Sequence, residues 1–142
     1  MFLEEDSLAL SPAERQGLSI LIIEPDPNTR NNLRSTVKSL GYGGISDAPN
    51  HVTAFERLNE RKFTHILFDS KKTNMTPREF LQKVLEGDRT TVCIPTSNEP
   101  RVDDIFDLFV VGARGFLVKP FTMDTVDEAI IMATKGEPIA EA

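Results

Sequence analysis

Five times along this chain, an apolar run with strand character gives way to a segment whose apolar residues recur at helical spacing. The runs are residues 18–23 (Leu-Ser-Ile-Leu-Ile-Ile), a short one near 44–46, 64–69 (Thr-His-Ile-Leu-Phe-Asp), 90–95 and 115–118. Parallel strands cannot be joined by tight hairpins, and their crossovers are right-handed. The alternation therefore predicts an α/β fold, a five-stranded parallel sheet doubly wound as (βα)5, a three-layer sandwich with helices on both faces. Residues 64–69 are its centre, because nearly continuous apolar residues mark a strand covered on both sides. That strand ends in a carboxylate, Asp69.

The helical segments carry their own punctuation. Pro27 opens a helix over 28–40, with Leu33, Val37 and Leu40 on one face and Gly41 as its stop. Pro49-Asn50 starts a second, carrying Val52, Phe55 and Leu58. Thr76-Pro77-Arg78-Glu79 has capping-box spacing and begins a third, with Phe80, Leu81, Val84 and Leu85 inward. A fourth spans 101–112, and a fifth runs from Thr122 to Lys135, closed by Gly136 and Pro138. Residues 1–17 read as a leader outside the main fold, with a short helix starting at Ser11-Pro12. The main domain is residues 18–136, and 137–142 form a small polar tail.

Composition excludes several classes. At 142 residues the chain is one domain with room for a core. Its net charge of −6 argues against a nucleic-acid-binding surface. One cysteine, Cys93, provides neither a disulfide framework nor a zinc site, and its apolar neighbours mark it as core. His51 and His65 stand alone, without partners at metal spacing, and read as structural or exposed. No apolar stretch approaches the roughly 20 residues that span a bilayer, and the acidic start lacks the pattern of a signal peptide. No membrane association and a cytoplasmic location are the expectations.

Ligands of open α/β sheets gather beyond the carboxyl ends of the strands. The first strand delivers Glu24 and Asp26 to that edge, the third Asp69, the fourth Thr96 with Ser97, and the fifth Lys119. Clustered carboxylates can hold Mg2+, a carboxylate can attack phosphorus, and a hydroxyl with an ammonium can hold phosphoryl oxygens.

These residues, in this order, resemble the receiver domain of two-component response regulators. The likeness covers Leu18 to about Lys135. It is carried by Glu24-Pro25-Asp26-Pro27, Asp69, Thr96-Ser97 and, most specifically, Gly115-Phe116-Leu117-Val118-Lys119-Pro120-Phe121. The resemblance implies a flavodoxin/CheY-like fold with Asp69 as phospho-acceptor, Thr96 as switch hydroxyl and Lys119 as the phosphate contact. Phe116 would be the aromatic whose rotamer reports the state, and Pro120 the residue of an often cis peptide bond. It further implies a histidine kinase or phosphotransfer protein as donor, and a switch with no enzymatic activity beyond self-catalysed phosphoryl transfer. Mg2+ would be held by Glu24, Asp69, the backbone carbonyl of Lys71 and, with a shifted loop, Asp26.

Two stretches depart from the family pattern. The second acid of the usual adjacent pair falls on Pro25, which has no side-chain oxygen, so Mg2+ affinity is expected to be weakened. After Asp69 the loop carries Lys71 and Lys72. Lys72 reads as a solvated loop lysine. Lys71 either lends positive charge to the acceptor site or pairs with Asp69 and holds one state. Hence there are two functional readings. One is a receiver phosphorylated on Asp69 that switches a partner-binding or dimerisation surface. The other is a degenerate receiver working through protein contacts alone.

The segment 101–112 is more apolar than one buried helical face requires, with Val102, Ile105, Phe106, Leu108, Phe109, Val110 and Val111. The excess, with Ile105, Phe106 and Phe109, reads as a partner surface, and the resemblance implies that it extends over Phe116, the last strand and the last helix, with a homodimer as first expectation. Burial under the leader is the alternative. A flavodoxin-type FMN site is disfavoured, because Glu24-Pro25-Asp26 would repel phosphate. A haloacid-dehalogenase-type phosphatase would need an Asp where Lys71 stands. With no output domain in evidence, output passes to partners or to a longer parent protein.

Overall fold

The computed structural model describes residues 9–136. The outer parts of the leader and the tail, including Pro138, lie outside the described residues. Eleven elements follow in order: α1 (Pro12–Gln16), β1 (Ser19–Ile23), α2 (Pro27–Ser39), β2 (Gly44–Ala48), α3 (His51–Glu60), β3 (His65–Asp69), α4 (Pro77–Gly87), β4 (Val92–Ser97), α5 (Val102–Val111), β5 (Leu117–Val118) and α6 (Met123–Lys135). All strand pairings are parallel, and the order across the sheet is β2-β1-β3-β4-β5. The α/β doubly wound expectation holds.

β3 is the sheet's centre, with all five residues buried. Successive side chains point to opposite faces, and this period splits the core in two. Leu21, Ile23, Ile66, Phe68 and Cys93 pack beneath α3, α4 and α5, through Ala54, Phe80, Leu81, Val84 and Leu108. Ile20, Ile22, Leu67, Ile94 and Leu117 pack beneath α2 and α6, through Leu33, Val37, Val126, Ile130 and Ala133.

Helix starts follow the local chemistry. Ser11 and Thr76 form capping boxes with Glu14 and Glu79, while Asp26 caps α2 by accepting the Thr29 N–H. In α3 the buried residues are His51 and Ala54, and Val52 is solvent-facing at 53% exposure. His51 takes the apolar side because its ring stacks on Phe80 at 4.6 Å. β4 runs on through Pro95 to Ser97 instead of stopping at the proline. Cys93 accepts the Arg114 N–H, on the side of β5, whereas Thr96 accepts the Ser70 N–H on the other side. Alternation directs the missing N–H of Pro95 toward the β5 side, just short of the ladder that begins at Thr96 and Leu117.

The leader's helix packs on the domain. Leu10 is buried with Tyr42, Val126 and Ile130. Arg15 makes a bidentate bond to Asp127 at 2.8 and 2.9 Å, donates to the carbonyls of Leu10 and Leu40, and lies over the Tyr42 ring. Tyr42 donates its hydroxyl to the same Asp127 carboxylate at 2.7 Å. Any side chain at Gly43 would collide with the carbonyl of Gln16, so the close approach of α1 depends on that glycine. Because α1 is seated between the end of α2 and α6, it does not cover α5. Among the described residues, no helix is long and apolar enough to cross a membrane.

His65 is buried between two threonines, each ring nitrogen 2.8 Å from a hydroxyl, Thr64 on one side and Thr134 of α6 on the other. Burial lowers its pKa to about 4. The folded state thus prefers the neutral ring, and between about pH 6.5 and pH 4 the unfolded chain binds more protons. Stability is complete above that window and falls as the pH drops through it, by on the order of 2–3 kcal/mol at its lower end. Urea midpoints at pH 7, 6, 5 and 4.5 should show this decline, and it should be smaller in His65→Gln. Equal slopes for the two proteins would exclude His65 as the cause.

Candidate functional site

Glu24 follows the last residue of β1, Asp69 ends β3, and Lys119 follows β5. All three meet at the carboxyl edge. The ammonium of Lys119 donates to Glu24 Oε1 and to Asp69 Oδ1, each at 2.6 Å. Glu24 and Asp69 are 4% and 3% exposed. Each carboxylate's other oxygen also has a donor. The Asp26 N–H reaches Glu24 Oε2 at 3.0 Å, and the Lys71 N–H reaches Asp69 Oδ2 at 3.1 Å. Burial alone would lower the pKa of Lys119, but its bonds to Asp69 and Glu24 outweigh that and raise it.

The surrounding backbone fixes these groups. Thr96 sits in register beside Asp69, is buried, and accepts from both the N–H and the hydroxyl of Ser70 through its carbonyl. The Lys119 N–H donates to the Ser97 carbonyl at 2.8 Å, tying the end of β5 to β4. The Lys119–Pro120 bond is cis. Arg30 of α2 donates to the Glu24 carbonyl at 2.8 Å, pinning the acidic turn from below.

The other expected residues lie around this triad. Asp26 is exposed, and its Oδ2 accepts from the Thr29 N–H at 2.9 Å and the Thr29 hydroxyl at 2.7 Å. These bonds hold its pKa below the usual carboxylate range. A cavity of about 560 Å³ opens over the cluster, lined by Glu24, Asp26, Lys71, Asn98 and Lys119 among others. Lys71 and Asn98 also line a second cavity of about 510 Å³, between the loops after β3 and β4, with Ile105 and Phe116 on its wall. Lys71 and Lys72 are both exposed. Phe116 borders that cavity and a third one over β5 and α6, where Phe109 and Val118 join it.

Counting only the ends of β1, β3, β4 and β5 misses a contribution from β2. His51, three residues after Ala48, is 1% exposed, and its Nδ1 lies 2.9 Å from the hydroxyl of Thr73 in the loop that follows Asp69. Burial lowers the His51 pKa against an opposing pull from Asp69. The signal was present in the sequence as a helix-start histidine at the same sheet edge. Among the described residues, no group of three or more His, Cys, Asp or Glu side chains is placed to hold a metal ion.

Comparison with known proteins agrees with this geometry. Residues 20–131 match the family described as "Response regulator receiver domain". The chain is 25% identical to the chemotaxis protein CheY of Pseudomonas aeruginosa over 115 residues, which is 80% of this chain and 93% of that protein. It is 27% identical to CheY of Listeria monocytogenes over 118 residues, covering 83% and 99% of the two. Among solved structures, CheY4 of Vibrio cholerae superposes with a TM-score of 0.75 at 23% identity, over 82% of this chain and 98% of that one. The beryllofluoride-activated NtrC4 receiver domain dimer superposes at 0.73 and 19% identity, over 83% and 98%.

The buried acids depend on one cation. Lys119→Met leaves Glu24 and Asp69 facing each other without a counter-charge, and should cost about 2–4 kcal/mol at pH 7. Adding Asp69→Asn should recover part of that loss. Urea denaturation of the single and double variants measures both, and an unchanged midpoint in Lys119→Met would show the triad contributes no stability.

Proposed function

The chain belongs to the response regulator receiver domain family, and from that premise we propose that it accepts a phosphoryl group on Asp69 and thereby switches a partner-binding surface. Receiver domains are signalling switches rather than enzymes in the ordinary sense. The observation that carries the reading is the Lys119 ammonium at 2.6 Å from Asp69, beneath an open cavity and beside the buried Thr96. The donor is a histidine kinase or phosphotransfer protein. An Asp69 carboxylate oxygen forms the new bond to phosphorus, while the bond from phosphorus to the donor imidazole breaks. The imidazole leaves with that electron pair and takes up a proton, and Asp69 becomes an acyl phosphate. Lys119 and the Thr96 hydroxyl are the groups placed to hold the transferred oxygens.

Sites of this family typically take Mg2+, which prefers oxygen ligands in near-octahedral array. The residues present here fit that ion poorly. Two carboxylates converge, all four of their oxygens already have donors, and Asp26 is committed to capping α2. The same observations favour a second reading, a degenerate receiver held in one state by the Lys119 bridge and acting through protein contacts alone.

Signal output is assigned to α5, β5 and α6. Val102, Phe106, Val110, Val118 and Met132 are all exposed there, with Phe106 at 61% and Val102 at 81%. Ile105 and Phe109 are half-buried behind them. A second copy of the chain is the proposed occupant; the NtrC4 receiver neighbour is itself described as a dimer.

Two experiments test these assignments. Intact-mass analysis after incubation with a small phosphodonor should show one added phosphoryl group on the wild type and none on Asp69→Asn. Absence of the gain, alongside a control receiver that does react, selects the degenerate reading. Sedimentation velocity should show concentration-dependent dimerisation that Phe106→Asp weakens by at least tenfold in Kd, about 1.4 kcal/mol. A wild-type chain that stays monomeric at high micromolar concentration, with and without phosphodonor, would remove self-association from the proposal.

A further inference from the structure

We propose that this acidic cluster is a metal-excluding charge triad: Lys119 is its resident counter-ion, and Pro25 is the residue that shuts out a divalent metal. The inference deepens the reading above and rests on it only for the identity of the site, since its test contains no phosphodonor.

The charge balance makes the case. Glu24 and Asp69 contribute two negative charges and Lys119 one positive, all three largely out of water. Adding Mg2+ would set three positive charges against two negative ones in a confined site, and the metal would compete with an ammonium already bonded to both carboxylates. A carboxylate at position 25 would bring that balance to zero. Proline supplies neither charge nor oxygen. Like charges held together away from water repel strongly, so the missing carboxylate removes both a ligand and the neutralisation it would bring.

Asp26 does not replace it. Its side chain takes two bonds from Thr29, and its own N–H is bonded to Glu24 Oε2. Prolines on both sides fix their own backbone φ and restrict the residues before them, so the turn resists the shift that would swing Asp26 inward. Arg30 holds the Glu24 carbonyl from α2. Inward rotation of Asp26 would leave the first turn of α2 uncapped. Lys71, exposed at the rim and tied through its N–H to Asp69 Oδ2, adds a further positive charge against an incoming cation.

The test is an MgCl2 titration into the tens of millimolar, at constant ionic strength, followed by amide NMR shifts at residues 24, 26, 69–72 and 119. The wild type is expected to show no saturable change at these amides. Pro25→Asp, judged folded by its dispersed spectrum, is expected to saturate with an apparent Kd at least tenfold tighter, and Asp69→Asn in that background should abolish the gain. Saturable wild-type shifts at low millimolar Mg2+ would overturn the proposal. So would a folded Pro25→Asp chain that binds no better than wild type, because the exclusion would then not reside in the proline.

Discussion

The bridge from Lys119 to Glu24 and Asp69 ties together three strands that are not all neighbours. β1 and β3 are adjacent, but β5 lies beyond β4 at the sheet's edge. With strands roughly 4.8 Å apart, the side chain from the end of β5 must reach across about two inter-strand spacings. A lysine has that reach. Two carboxylates buried to 4% and 3% exposure repel each other and lose hydration, and they are tolerable together only with a cation between them. The same contact fixes the end of the two-residue β5, which has little ladder of its own.

That dependence shapes what phosphorylation would do. A phosphoryl group on Asp69 replaces one negative charge with roughly −1.5 to −2 and adds strong acceptor oxygens. Lys119 is then drawn toward the phosphate, at the expense of Glu24. Glu24 would keep only the Asp26 N–H, and the β1–α2 turn would lose its link to the β5 end. Phe116 and Val118 lie beside Leu117 in that segment and line the cavity over β5 and α6, so the charge change would fall next to the apolar surface. The triad is thus a candidate two-state element in the physical sense, with one ammonium and two competing anionic partners.

The sheet was legible because its strands are buried on both faces and therefore nearly continuous in apolar character, as at Ile66-Leu67-Phe68. The meeting of Glu24, Asp69 and Lys119 was legible for a related reason, since parallel topology sends every strand's carboxyl end to one edge. What escaped the pattern were residues whose surroundings override their type. Val52 lies outside because His51 is held inside by Phe80 and Thr73. Pro95 remains in β4 because its missing donor faces the sparsely paired β5 side. The attachment of α1 was equally hidden. It relies on Arg15 meeting Asp127, 112 positions away in sequence, and no local periodicity encodes such a pair.

That attachment also bears on how α6 is held. Arg15 and Tyr42 both bond Asp127 on α6, and Thr134 on the same helix meets His65 of β3. One flank of α6 is therefore held by charged and polar contacts to α1, the α2–β2 turn and the central strand. Its other flank borders the cavity over β5, where Met132 and Val118 face solvent. α5 has no side-chain cap at its start, where Arg101 stands, although the N–H groups of Gly112 and Ala113 close its other end on the Leu108 carbonyl and Arg78 of α4 pairs with its Asp107. Of the two helices bordering the apolar surface, α5 is the one whose start lacks a side-chain cap, whereas Thr122 caps α6.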